Sequence, residues 1–323
     1  MNKDNLHNRN ILITGGAGAI GNNLVRKLIE YNPKKIIVID NLSSGNLNFL
    51  PKSNLLQFEY CDITKFDQLS SIFKKFQPNI VFHLAAHFAN QNSVDYPFSD
   101  LSTNVLGTLN TLQCFKDYGD WEKFILTSSS CVYSNNANME ELSSIYPYET
   151  PYTITKFTSE LYAKYFSDHF SLDVSVLRLF NSYGPYELAG KYRNVIPNFI
   201  YNALNNIPIN ITGDGSEIRD FTYISDTINL ICELSNLDNN YKWSLFNSGT
   251  GKGTEILYLA ESIIKYTGSN SKIIYSSKRS WDNVKKRVSN ICKAEQFLQY
   301  KPKIELEEGL LKTIDWYKRV INE

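Results

Sequence analysis

The run Asn10-Ile11-Leu12-Ile13-Thr14-Gly15-Gly16-Ala17-Gly18-Ala19-Ile20-Gly21 constrains this chain most. A short apolar segment leads straight into a glycine-spaced turn and then into a helical pattern. Gly15 permits the tight turn, Gly18 removes a Cβ that would block a pyrophosphate, and Gly21 lets the helix pack close to the strand. The free N–H groups and positive dipole end of that helix, which begins near Ile20, then face an anion. A glycine triplet by itself also occurs in ordinary turns, so a nucleotide site needs support from residues farther along the chain.

Past the turn, Lys35-Ile36-Ile37-Val38-Ile39-Asp40 reads as a second buried strand ending in a carboxylate, about twenty residues beyond the glycines. A carboxylate there accepts hydrogen bonds from both hydroxyls of an adenosine ribose, and its charge repels a 2′-phosphate. No arginine comes directly after it. These features predict NAD rather than NADP as cofactor; the competing reading is a strand-end Asp that caps the next turn.

With 323 residues the chain can bury a large core. Its 33 Lys plus Arg equal its 33 Asp plus Glu, so no net field recruits nucleic acid or an anionic membrane. Any anion must be met by local groups. Five scattered cysteines without C-x-x-C spacing argue against a disulfide framework or a zinc site, and a reducing cytoplasm fits them best. Met1 to Asn10 lacks the apolar core of a signal peptide, and no apolar run approaches the roughly eighteen residues of a spanning helix. A soluble, cytoplasmic protein is expected.

Apolar runs near 10–13, 35–39, 55–60, 79–84, 123–128 and 174–179 alternate with helical patterns near 20–30, 65–76, 99–118 and 152–169. This alternation predicts an α/β fold: a Rossmann-type doubly wound parallel sheet with helices on both faces and ligands at the carboxyl ends of the strands. Beyond about residue 180 shorter elements broken by Pro and Gly predict a smaller C-terminal α/β region that binds substrate. Residues 1–180 would form the cofactor domain and 181–323 the second region, with some of its segments returning to the sheet.

Tyr152-Thr153-Ile154-Thr155-Lys156 opens a helical stretch just after Pro151, and the spacing of four puts phenol and ammonium on one helix face. An unperturbed tyrosine, with a pKa of about 10, is a poor base at neutral pH. A neighbouring Lys⁺ and a positive nicotinamide ring both favour the phenolate and fit Tyr152 for general-base work. Thr127-Ser128-Ser129-Ser130 closes the strand before it. A hydroxyl at a strand's carboxyl end can hold the substrate oxygen whose proton the tyrosine takes. His83 reads as a strand residue and His87 as a loop residue near the pocket. Neither has a partner at ligand spacing, so no metal site is expected.

The chain resembles the extended short-chain dehydrogenase/reductase family, in particular its NAD-dependent nucleotide-sugar epimerases and dehydratases. The likeness covers essentially the full length. It runs through Thr14 to Gly21, Asp40-Asn41-Leu42-Ser43-Ser44-Gly45, Asp62-Ile63, His83-Leu84-Ala85-Ala86, Asn104, the serine run before Val132-Tyr133, and Tyr152 to Lys156. Arg178 to Pro185, Gly213-Asp214-Gly215 and Arg219 to Asp226 complete it. The resemblance implies that the cofactor is bound by Gly15, Gly18, Ala19, Ile20, Gly21, Asp40, Asn41, Ser44, Asp62, Ile63, Leu84, Ala85, Ala86 and Asn104, together with Tyr152 and Lys156. Asp62 and Ile63 would contact the adenine. Ser129, three before Val132, matches the catalytic Ser/Thr beside Tyr152 and Lys156. Ser129, Ser130 and Asn181 would bind the sugar nucleotide, Arg219 and Arg279 would grip its diphosphate, and Asp282 would hold a nucleotide ribose. Bidentate arginines suit a neutral protein that must bind a dianion.

The resemblance also implies the reaction: Tyr152 takes the O4 proton while hydride leaves sugar C4, and the 4-keto sugar is reduced on its other face or released. Relatives that eliminate water carry acid and base residues after the catalytic Ser/Thr, typically Asp-Glu. Here Ser130 and Cys131 stand there, and neither does a carboxyl's work easily. A 4-epimerase or net 4-dehydrogenase therefore ranks ahead of a 4,6-dehydratase and well ahead of a non-catalytic NAD-binding module. The helices near 99–118 and 152–169 resemble those through which family members dimerise, so a homodimer or higher homo-oligomer is expected.

Overall fold

In the computed structural model, residues 6–136, 139–237 and 242–321 are described. Part of the polar start read above, Met1 to Asn5, lies outside them. Six parallel strands form within the first 180 residues: β1 (Asn10–Thr14), β2 (Lys35–Asp40), β3 (Leu56–Tyr60), β4 (Ile80–His83), β5 (Lys123–Ser129) and β6 (Val174–Leu179). A seventh, Trp243–Ser248, pairs parallel to β6 in the register Trp243↔Val174. The sheet runs Trp243–Ser248, β6, β5, β4, β1, β2, β3. The strand order reverses between β1 and β4, and at such a switch point the loops diverge and leave a crevice at the carboxyl ends.

Alternation along each strand explains the two-sided core. Ile11, Ile13, Ile36, Val38, Phe82 and Ile125 belong to a cluster that includes Leu24, Val25 and Leu28 of helix α1 (Ala19–Ile29). Leu12, Ile37, Ile39, Val81, Phe124 and Leu126 belong to another, with Leu69 and Phe73 of α2 (Phe66–Phe76). Successive side chains of a strand point to opposite faces, so runs apolar at every position need helices on both sides. Among the described residues, no helix is long and apolar enough to cross a membrane.

Beyond β4 come α3 (Asn90–Asp95), α4 (Pro97–Asp100), a π-helical segment over Leu101–Leu106, and α5 (Gly107–Tyr118). After β5 comes α6 (Pro151–Phe170), 20 residues long. Its start is set locally: the Thr150 hydroxyl accepts from the Thr153 N–H, and Pro151 takes the first-turn position that needs no donor. That cap fixes where Tyr152 and Lys156 stand relative to the end of β5.

Candidate active site

A cleft of about 540 Å³ opens along the carboxyl ends of the strands. The glycine turn forms its floor. Gly15 has φ +69°, and a Cβ there would sit 2.7 Å from the Ala85 backbone, so strand end and loop approach closely only through glycine. At Gly21 an added Cβ would lie 2.5 Å from Gly16 Cα, which seats the first turn of α1 on the strand end. Gly18 differs: only the Gly15 carbonyl oxygen, at 3.2 Å, comes near its missing Cβ, so the space ahead of the turn is open to an anion.

Asp40 stands beside the turn. Its Oδ2 accepts from Ala17 N–H at 3.0 Å and its Oδ1 from Leu42 N–H at 2.8 Å. Burial pushes its pKa up and the two backbone donors pull it down. The carboxylate therefore does what the competing reading asked, capping the turn, while also lining the cleft. With about four lone-pair sites it still has capacity for ribose hydroxyls. Asn41 donates to Asp62 at 3.3 Å, which ties the ends of β2 and β3 together at the rim.

At the other end, β5 closes on Ser129 and Ser130–Tyr133 turn as a 3₁₀ helix, the Ser129 hydroxyl accepting from Cys131 N–H at 3.2 Å. Tyr152 is 6% exposed. Burial drives its pKa upward, nearby Cys131 and Asp100 add to that, and a hydrogen bond from Ser129 opposes it. Lys156 is held at about 8, below its usual range, chiefly by burial against the support of Glu160 and Asp100. Its Nζ donates to the Thr127 carbonyl at 2.6 Å. In the protein alone burial dominates at Tyr152, and a pull in the opposite direction comes from Ser129.

Of the residues singled out in the sequence, Gly15, Gly18, Ala19, Ile20, Gly21, Asp40, Asn41, Ser44, Asp62, Ile63, Leu84, Ala85 and Ala86 line this cleft, as do Ser129, Ser130, Tyr152, Lys156, Asn181, Arg219, Arg279 and Asp282. Asn104 does not. It is 1% exposed, its amide donates to Asp100 at 2.8 Å and Thr155 at 3.2 Å, and its oxygen accepts from His87 N–H at 2.8 Å. These bonds tie the His87 loop to α4 and α6. Asp282, expected at a ribose, lies 3.5 Å from Arg219 Nη2, so part of its charge answers that arginine. His83 is a strand residue between the Thr14 and Thr108 hydroxyls, its pKa pushed down to about 3 by burial and then by Lys156.

Sequence reading missed Arg287, which also lines the cleft. It sits on the two-residue strand Lys286–Arg287, whose partner is Ile218–Arg219 with Arg287 opposite Arg219. No motif marks it, because pairing far along the chain brings it there. Arg193 was likewise unmarked; its Nη2 donates to the Ser44 carbonyl at 2.9 Å and lashes the loop after Pro185 to the cofactor side of the cleft.

The NAD dependent epimerase/dehydratase family model matches residues 11–245. The chain belongs to this family. It is 34% identical to a UDP-glucuronate 4-epimerase of Thermodesulfobacterium geofontis over 322 residues, covering 96% of each chain. Among solved structures, an epimerase of Methanothermobacter thermautotrophicus superposes with a TM-score of 0.94 at 36% identity, covering 100% of this chain and 96% of the other. The UDP-glucose 4-epimerase of Thermotoga maritima, solved with UDP-glucose, gives 0.91 at 33% identity, covering 97% and 99%. The extended short-chain dehydrogenase/reductase fold, an enzymatic activity and NAD as cofactor come with that membership.

Proposed function

We propose that this enzyme inverts C4 of a nucleotide-diphosphate sugar by oxidising it to the 4-keto sugar and reducing it again within the same cleft. One observation carries the reading: the buried Tyr152, Ser129 and Lys156 line the same cleft as the open glycine turn and as Arg219 and Arg279, with Ser129 hydrogen-bonded to Tyr152. Bound NAD supplies the acceptor for the C4 hydride, and its positive ring favours the phenolate. Tyr152 Oη takes the proton of sugar O4 while Ser129 Oγ holds that oxygen in line. Lys156, fixed by Thr127, orients the cofactor's ribose and keeps a positive charge beside the reaction. After the ketone presents its other face, Tyr152 returns the proton to O4. Asp40, Asn41, Ser44, Asp62, Ile63, Leu84, Ala85 and Ala86 hold the dinucleotide, and Asn181, Ser130, Arg219, Arg279 and Asp282 hold the sugar nucleotide. Ser130 and Cys131, where dehydration calls for a carboxylic acid and a base, speak for epimerisation over 4,6-elimination.

Residues 1–180 serve the cofactor and most of 181–323 the substrate. Phe98, Leu101, Leu106, Ile154, Leu161 and Tyr165 stand exposed along α4 to α6, with Phe98 83% accessible, which supports a homodimer packed through these helices. All five cysteines are free thiols, which supports a cytoplasmic setting.

The test incubates the pure enzyme with UDP, GDP, CDP and dTDP sugars while following NADH absorbance and product NMR. A C4-inverted sugar without lasting NADH is expected. Lasting NADH with a released 4-keto sugar would make it a 4-dehydrogenase, and a 6-deoxy-4-keto sugar would make it a dehydratase.

A further inference from the structure

Arg287 is a cation in the cleft that the protein leaves unanswered. Among the described residues no carboxylate lies within ion-pair distance of its guanidinium, whereas neighbouring Arg219 has Asp282 at 3.5 Å and the carbonyls of Ile218 and Lys285 at 3.0 and 3.3 Å. The hydrogen bond that Arg287 does make runs from Nη1 to the Cys131 sulfur at 3.5 Å, a weak acceptor, and its Nε is buried without a partner among those residues. The residue as a whole is half-buried and lines the cleft, so a ligand there can bring the missing counter-charge.

Its position says which part of a ligand that would be. Cys131 is two residues past Ser129 and close enough to Tyr152 to raise the phenol's pKa. Arg287 touches Cys131 directly, whereas Arg219 turns to Asp282, which sets the Arg287 fork toward the Tyr152 end of the cleft. Asn90 reinforces the corner: its Oδ1 accepts from Thr150, so its amide N–H faces the same sulfur, at 3.4 Å. Two donors thus converge on one corner of the cleft, two residues past Ser129. Arginine's planar fork matches a carboxylate bidentately.

We infer that Arg287, with the Asn90 amide, forms a subsite for a carboxylate borne on C5 of the sugar, so that the preferred substrate is a nucleotide-diphosphate hexuronate. This rests on the 4-epimerase reading, yet it concerns recognition and can be read from binding alone. In such a site a neutral hexose would set a hydroxymethyl group against a guanidinium that has no counter-charge.

Calorimetry on the NAD-loaded enzyme compares UDP-glucuronate with UDP-glucose, beside kcat/KM for both, in the wild type, Arg287→Met and Arg287→Lys. The wild type should bind the uronate at least tenfold more tightly than the hexose. Arg287→Met should erase that ratio, and Arg287→Lys should leave an intermediate one, having charge without the fork. Equal losses for both ligands in Arg287→Met would assign Arg287 to the diphosphate and overturn the proposal, as would a wild type that binds the hexose equally well. An uronate-selective wild type that turns over neither sugar would keep the subsite and sink the epimerase reading instead. Thermal melting of each variant separates lost binding from lost folding.

Discussion

Arg178 on β6 grips Glu160 on α6 with both prongs, Nε to Oε1 at 3.0 Å and Nη2 to Oε2 at 2.7 Å, and both side chains are buried. The pair locks the catalytic helix to the sheet. Glu160 is one turn beyond Lys156 on the same helix and is the leading charge that sustains its ammonium against burial. Glu160→Gln leaves the guanidinium buried without its counter-charge and should lower stability by about 3–5 kcal/mol in urea unfolding. In whatever protein remains folded, the Lys156 pKa should drop below about 8, shifting the alkaline limb of the pH–rate profile to lower pH. An unchanged profile would mean that Glu160 acts on Arg178 alone.

Tyr152→Phe keeps the ring but removes the oxygen that moves the proton. Because Tyr152 is packed edge-on to Phe88, with ring centroids 6.3 Å apart, the phenyl ring should remain in place and stability should hardly change. The rate should fall by about 10²–10⁴, the usual worth of a positioned proton-transfer group. Single-turnover formation of NADH measures the oxidation half-reaction directly, and NAD titration on the same variant shows whether the cleft still binds its cofactor.

Asp40 has two duties, so its loss should register in two measurements. In Asp40→Ala the N–H groups of Ala17 and Leu42 lose their acceptor, which should cost about 1–3 kcal/mol in thermal or urea unfolding. The ribose loses its partner as well, so NAD affinity should weaken at least tenfold. The discrimination against NADP should shrink in the same variant, since the charge opposing a 2′-phosphate is gone. Calorimetric titration with both dinucleotides checks this, and an intact preference for NAD would place the discrimination elsewhere.

The first 180 residues were legible because local signals and tertiary structure agree there. The strand read at 123–128 forms as Lys123–Ser129, and the helix read at 152–169 as Pro151–Phe170. Glycine spacing, a strand-end acid and a Y-x-x-x-K on a capped helix each carry their meaning within a few residues. The features that resisted reading depend on long-range pairing. Arg287 reaches the cleft through a strand of two residues paired with Arg219, and Trp243–Ser248 joins the sheet from far along the chain. Asn104 carried the family pattern, yet whether its amide meets the cofactor or the protein turns on the π-helical segment that aims it at Asp100 and Thr155. The Tyr152–Lys156 spacing was visible, but the balance of burial and charge that sets both pKa values arises only in the folded interior.

Asp100 gives the last prediction. Its fully buried carboxyl accepts from Thr155 at 2.6 Å and Asn104 at 2.8 Å, and burial raises its pKa to about 6 despite Thr155 and Lys156. A carboxyl whose pKa is higher in the folded than in the unfolded chain binds protons more tightly when native, so its contribution is fully present below about 4 and is lost as pH rises through about 6. Glu187, raised to about 7 by burial, adds a slope of the same sign slightly higher. Asp100→Asn keeps the contacts, because Asn can accept from Asn104 and donate to a Thr155 hydroxyl that turns round, but it cannot titrate. The stability of wild type relative to Asp100→Asn should therefore be greatest near pH 4 and decline as pH approaches 7, measured by urea unfolding at fixed pH steps. Parallel curves for the two proteins would show that Asp100 is already ionised in the fold at pH 4 and that burial does not govern it.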